Sequence, residues 1–169
     1  RSRLGKIVEA AGNRLAVKAA GIGAKVNLGP AADEAEKILM DAITNPITGG
    51  TIDKAEVKTI QGIIGKIRKN PARDVNVSVG VKKAIYDLTD FKQGAVGKVQ
   101  SDVGQRALKA AGKSIQVALE NVANRVSEPS YISANKTLSD FITLWDEELV
   151  NRIGTKTEGT KDLVLRLRD

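Results

Sequence analysis

Only five aromatic side chains, Tyr86, Phe91, Tyr131, Phe141 and Trp145, are spread over 169 residues, so Ala, Val, Ile and Leu must build nearly all of the core. A chain of this length can bury roughly two thirds of its surface on folding. Small aliphatic side chains let helices approach closely, but each removes little area from water. The expected outcome is a modest core, or an elongated shape that completes its burial against partners.

The spacing of those aliphatics selects helices. Leu4, Ile7, Val8, Ala11 and Leu15 step by three and four, which predicts a helix over 3–20. "GIGAKVNLGP" breaks it, and Pro30 suits the first turn of a helix over 31–44. Asp33, Glu34 and Glu36 stand early in that helix, where its dipole favours acids. "NPITGG" then separates an N-terminal helical segment, 1–49, from a helical domain, 50–169. Asp53 and Glu56 have capping-box spacing and start a helix with Val57, Ile60, Ile64 and Ile67 on one face. Gly62 and Gly65 weaken it and allow close packing, and Asn70-Pro71 ends it.

"DVNVSVGV" alternates for eight residues, as a strand does. A strand here would have no partner in an otherwise helical chain. The segment is therefore read as an extended lead-in, with Ser78 or Asn76 capping a helix over 81–91, and a two-stranded ribbon is the alternative. Helical periodicity then persists over 95–126, which at 1.5 Å per residue is about 48 Å. "SEP" ends it, and Ser127 or Ser130 with Pro129 opens a helix over 131–152. There Leu138, Phe141, Ile142, Trp145 and Leu149 form a stripe read as core. "GTKTEGT" is a loop, and "KDLVLRLRD" reads as final helical turns or the start of something cut off. The sum is an all-α fold, an elongated assembly of five or six helices with one long central helix at 95–126.

There is no Cys and no His. Disulfides, thiolate nucleophiles, the usual zinc sites and histidine acid-base catalysis are all excluded. Asp, Glu, Lys, Ser and Tyr remain, but no recognisable carboxylate pair accompanies them, so the chain is read as no enzyme, with no catalytic, cofactor or metal residues. No apolar run is long enough to span a membrane, and "RSRLGKIVEA" lacks the apolar stretch of a signal peptide. A start without Met and a stop after "LVLRLRD" suggest a processed product or part of a longer chain.

"ALKAAGKS", Ala107 to Ser114, formally matches a phosphate-binding loop. That loop needs a preceding strand and unpaired glycine N–H groups, whereas Leu-Lys-Ala-Ala is strongly helix-forming. Lys98, Asp102, Gln105, Arg106, Lys109, Lys113, Gln116, Glu120 and Asn124 make one polar stripe straight through it, so the segment is read as a solvated helical face. The repeated "GxxGK" at Gly62 and Gly94 and the "GIG" at Gly21 lack the context of nucleotide-binding loops.

Charge is the stronger signal. Residues 54–83 hold eight Lys and Arg against Glu56 and Asp74, a balance of +6 within a chain total of +7. A concentrated patch suits a polyanion or an acidic partner, and the candidate contacts are Lys66, Arg68, Lys69, Arg73, Lys82 and Lys83.

One resemblance covers about 60 residues from Gln105 onward. "RALKAAGKSIQVALENV", the break "SEPS" and "YISANKTLSDFITLWDEELVNRIGTKTEG" resemble a helical segment of the internal virion, or ejection, proteins of tailed bacteriophages. The resemblance implies a structural role in the virion, after assembly in the host cytoplasm, with other copies and other virion proteins as partners and DNA as a further contact. It carries over no catalytic residue and no cofactor. The expected function is therefore a structural module of the phage particle. The rival is a free-standing basic helical protein that binds nucleic acid through the six cations named above.

Overall fold

The computed structural model describes residues 3–45, 47, 50–89, 99 and 101–144, with side chains through Phe141. Among them are six helices and a two-stranded ribbon. In chain order these are α1 (Arg3–Gly21), β1 (Val26–Asn27), α2 (Gly29–Thr44), α3 (Lys54–Lys69), β2 (Ala72–Arg73), α4 (Val75–Leu88), α5 (Asp102–Arg125) and α6 (Pro129–Leu144). The all-α expectation holds. Two compact units are formed, one by Gly12–Pro129 and the other by Arg1–Ala11 with Ser130–Asp169.

In the larger unit α5 is the element that α2, α3, α4 and β1 all pack against. Its buried side, Val103, Gly104, Ala107, Leu108, Ala111, Gly112, Ile115, Leu119, Val122 and Ala123, is wide because it meets several neighbours. α2 lies close along it and buries Ala31, Ala32, Ala35, Leu39 and Ala42, small side chains that permit the approach. Alanine is the commonest buried residue among the described residues, as the shortage of aromatics implies. The "ALKAAGKS" segment lies wholly inside α5, its N–H groups committed to the helix. Gly112 serves packing: a Cβ there would stand 2.7 Å from Tyr86 Cζ, so the tyrosine ring of α4 rests directly on the helix backbone.

Helix boundaries follow local chemistry in several places. α3 starts after Asp53, whose carboxylate accepts the Ala55 N–H at 2.9 Å. Glu56 also reaches out of its own helix: its carboxylate accepts the N–H and hydroxyl of Ser101, and Ser101 Oγ accepts the Gly104 N–H at 3.1 Å as the N-cap of α5. This corrects the long helix: Val99 pairs with Thr89 in a parallel bridge and Ser101 is extended, so α5 begins at Asp102. Residues 95–98 of the expected helix lie outside the described residues, as do Phe91, Trp145, Leu149 and everything beyond 144.

The alternating "DVNVSVGV" is helical from Val75, which corrects the extended lead-in. Asp74 is the extended N-cap residue, and both Ser78 N and Ser78 Oγ donate to its carbonyl at 2.9 Å. Val75, Ser78 and Ile85 are the buried residues of α4, a spacing of three and seven that alternation concealed. A ribbon does exist, but one element earlier. Val26 pairs with Arg73 and Asn27 with Ala72, antiparallel, and the Leu28 N–H reaches the Pro71 carbonyl at 2.8 Å.

The buried Glu128 carboxylate lies 2.9 Å from Lys18 Nζ and 3.9 Å from Arg14 Nε, joining the second half of α1 to the turn after α5. Lys18 also donates to the Ser127 carbonyl at 3.2 Å. In the smaller unit the buried residues of α6 are Tyr131, Ala134 and Asn135, whereas Phe141 is exposed. The expected apolar stripe is thus not the buried face at Phe141, and its later members lie outside the described residues.

Gly112→Ala gains about 1 kcal/mol of helix propensity. It also drives a methyl into the Tyr86 ring, and overpacking costs about 1–3 kcal/mol. Urea denaturation should find this variant less stable than the parent. A Cβ at Gly65 meets nothing within 4 Å, contrary to the expected close packing, so Gly65→Ala should be more stable by up to about 1 kcal/mol. The reverse order of midpoints would disprove the Tyr86–Gly112 contact.

Candidate functional site

Ile60, Ile64 and Ile67 bury one side of α3, which turns Lys66, Arg68 and Lys69 of its last turn outward. Arg68 does not face solvent alone. Its guanidinium donates to Glu36 at 2.8 and 2.5 Å and to Asp33 at 2.9 Å, tying α3 to α2. The hydrogen bond from Arg68 holds the Glu36 carboxyl below its ordinary range, and the Arg68 pKa rises in turn. Asp33 and Glu36 therefore serve this joint, beyond any service to the dipole of α2.

Arg73 is also engaged. Nε donates to the Asn70 carbonyl at 2.8 Å and Nη2 to the Lys66 carbonyl at 3.0 Å, satisfying the open C-terminal end of α3. Lys82 is half-buried on α4, and desolvation pushes its pKa down to about 8, although the Glu120 charge opposes this. Lys83 is exposed. The run of positive charge in the sequence is thus not one surface. Two guanidiniums act as joints, one ammonium is partly desolvated, and Lys66, Lys69 and Lys83 remain as exposed cations.

Lys66, Lys69 and Arg73 come together at the rim of a groove of about 830 Å³ between the C-terminal half of α3 and α4. Its floor is Ile63, Ile67, Val81, Ala84, Ile85 and Leu88. Arg68, Lys82 and Lys83 do not line it. The basic rim was visible in the sequence. Val81, Ala84, Ile85 and Leu88 have helical spacing within the helix expected over 81–91, but nothing local shows that they line a groove with Ile63 and Ile67 of α3.

A second groove, of about 640 Å³, lies between the end of α2 and the first half of α3, with Ile43, Ile52 and Val57 as apolar lining and Lys54 and Lys58 beside them. Ile43 is about half exposed, as is Met40 three residues before it on α2, and Ile47, just beyond the helix, is almost fully exposed.

The polar face of α5 mixes Arg106, Lys109 and Lys113 with Asp102 and Glu120 over its described part. Arg106 pairs with Asp102 at 2.9 Å, and Gln116 donates to Glu120 at 3.0 Å. Lys113 of the "GKS" triplet is exposed on this face. Among the described residues no group of three or more Asp or Glu is arranged to hold a metal ion.

Two titrations check this electrostatic picture. Because the Glu36 pKa is depressed in the fold, its contribution to stability is present above the ordinary value of 4.5 and is lost as pH falls through the folded value. Arg68→Gln should move the Glu36 carboxyl resonance titration upward, and no movement would deny the pairing. Lys82 is the opposite case: its folded pKa of about 8 lies below the ordinary 10.5, so its contribution to stability rises with pH between those values. Competitive acylation followed by mass spectrometry should give a Lys82 midpoint near 8, and a midpoint at 10.5 would show a fully hydrated ammonium.

Compared with known proteins, the chain matches no family model, no curated protein and no solved structure.

Proposed function

We propose that the chain is a non-enzymatic structural and assembly module of a tailed-bacteriophage particle, acting by packing helices against neighbouring subunits. The observation that carries the assembly role is the apolar surface at the end of α2. Met40 is 51% exposed, Ile43 52% and Ile47 97%, within eight residues of chain, and Ile43 also lines a groove with Ile52 and Val57. Clustered apolar side chains left in water mark contact surfaces. Their occupant is a second copy of the chain, since an isologous contact would bury both patches at once. The particle setting rests on the resemblance of the segment from Gln105 onward to internal virion proteins.

The rival nucleic-acid reading draws on six cations. The internal bonds of Arg68 and Arg73 and the partial desolvation of Lys82 favour assembly over it.

Light scattering over two decades of protein concentration should show reversible self-association. Salt should strengthen it, because Lys54 and Lys58 of each copy are brought together. Met40→Glu with Ile43→Glu, both at exposed positions, should leave a monomer of unchanged helix content. A parent chain that stays monomeric throughout would sink the self-assembly role. Tight DNA binding with a steep salt slope would support the rival instead.

A further inference from the structure

We infer that the groove between α3 and α4 receives an acidic amphipathic helix of a partner protein. The inference rests on the assembly reading only in taking the chain to work by docking helices. The groove and the α2 patch share no residue, so the two contacts can fail separately.

The floor specifies a helix. Val81, Ala84, Ile85 and Leu88 follow i, i+3, i+4, i+7 along α4, and Ile63 and Ile67 follow i, i+4 along α3. Two such stripes side by side form the surface on which the apolar face of a third helix packs. Residues 81–88 span about 10 Å at 1.5 Å per residue, room for two turns of a partner.

The rim specifies its charge. Lys66 and Lys69 are exposed and have no ion pair among the described residues. The carbonyls of Lys66 and Asn70 hold the Arg73 guanidinium in place. No carboxylate lines the groove among the described residues. A helix with Leu-type residues on one face and Glu on its flanks would bury the first on the floor and set the second against the cations. A second copy seated symmetrically here would bring two basic rims together. A nucleic acid would meet the lysines but leave the apolar floor unmatched.

The test uses the full chain and a fluorescein-labelled synthetic helix with Leu at its a and d positions and Glu at e and g. The comparison is the same peptide with Lys in place of Glu. Anisotropy should show the Glu peptide binding at least about tenfold more tightly. Lys66→Glu with Lys69→Glu should reverse the preference. Ala84→Glu places a charge on the floor at an exposed helical position, and should weaken binding about tenfold while helix content and self-association stay unchanged.

Equal affinity for the two peptides, or indifference to Ala84→Glu, overturns the inference. So does tighter binding to phosphatidylglycerol vesicles than to the Glu peptide. Peptide binding by a chain that never self-associates supports this inference and removes the self-assembly role. Self-association without peptide binding removes this inference alone.

Discussion

The close approach of α2 to α5 is the contact on which the rest of the larger unit depends. Ala31, Ala32, Ala35 and Ala42 bury almost no side-chain volume, so what they contribute is proximity rather than area. With α2 held tightly on one side, α5 can offer Gly112 to Tyr86 and still bury Ile115 and Leu119 among its neighbours. A core built this way is thin. Larger aliphatics such as Met40, Ile43 and Ile63 are left at helix ends and groove walls, where they stay open to solvent in whole or part.

Charged side chains supply the geometry that a thin core cannot. Arg68 fixes the end of α3 against the start of α2, Lys25 pairs with Asp74 across the ribbon, and Glu128 gathers Arg14 and Lys18. The exposed pairs are screened by water and salt and contribute little to stability singly. Their effect is on orientation: each joins elements whose apolar contact alone would allow sliding. Glu56 does the same by hydrogen bonding, since the carboxylate that holds Ser101 also fixes where α5 starts.

This division explains what could be read from the sequence. The starts of α2 and α3 and the ends of α1 and α3 are set within a few residues by Pro30, Asp53, the glycines after Ala20 and Asn70-Pro71, and all were legible. The helical setting of "ALKAAGKS" was legible too, because propensity and stripe agreed. Long-range partners were not. Nothing local tells that Arg68 reaches Glu36 across 32 residues, or that Glu56 reaches Ser101 across 45. Two-residue strands carry no periodic signal, so the ribbon escaped notice, while the eight-residue alternation beside it was overridden by burial of Val75 and Ile85. The basic run was correct as composition. As a surface it is divided, because carboxylates and carbonyls bind two of its six candidate cations and burial partly desolvates a third.

α3 is where fixed geometry and open surface meet. Its buried isoleucines face the core, its first half walls one groove and its second half walls the other. Asp53 caps its start and Arg73 closes its end, so neither groove wall is left to fray. Lysines rim both grooves, yet the two contacts proposed for them differ in sign. Bringing two copies together sets lysine against lysine, so added salt strengthens that contact, whereas an acidic helix is attracted by the rim and released as salt rises. A single rigid helix can in this way serve two neighbours of opposite electrostatic character, with ionic strength shifting the balance between them and no change in fold required.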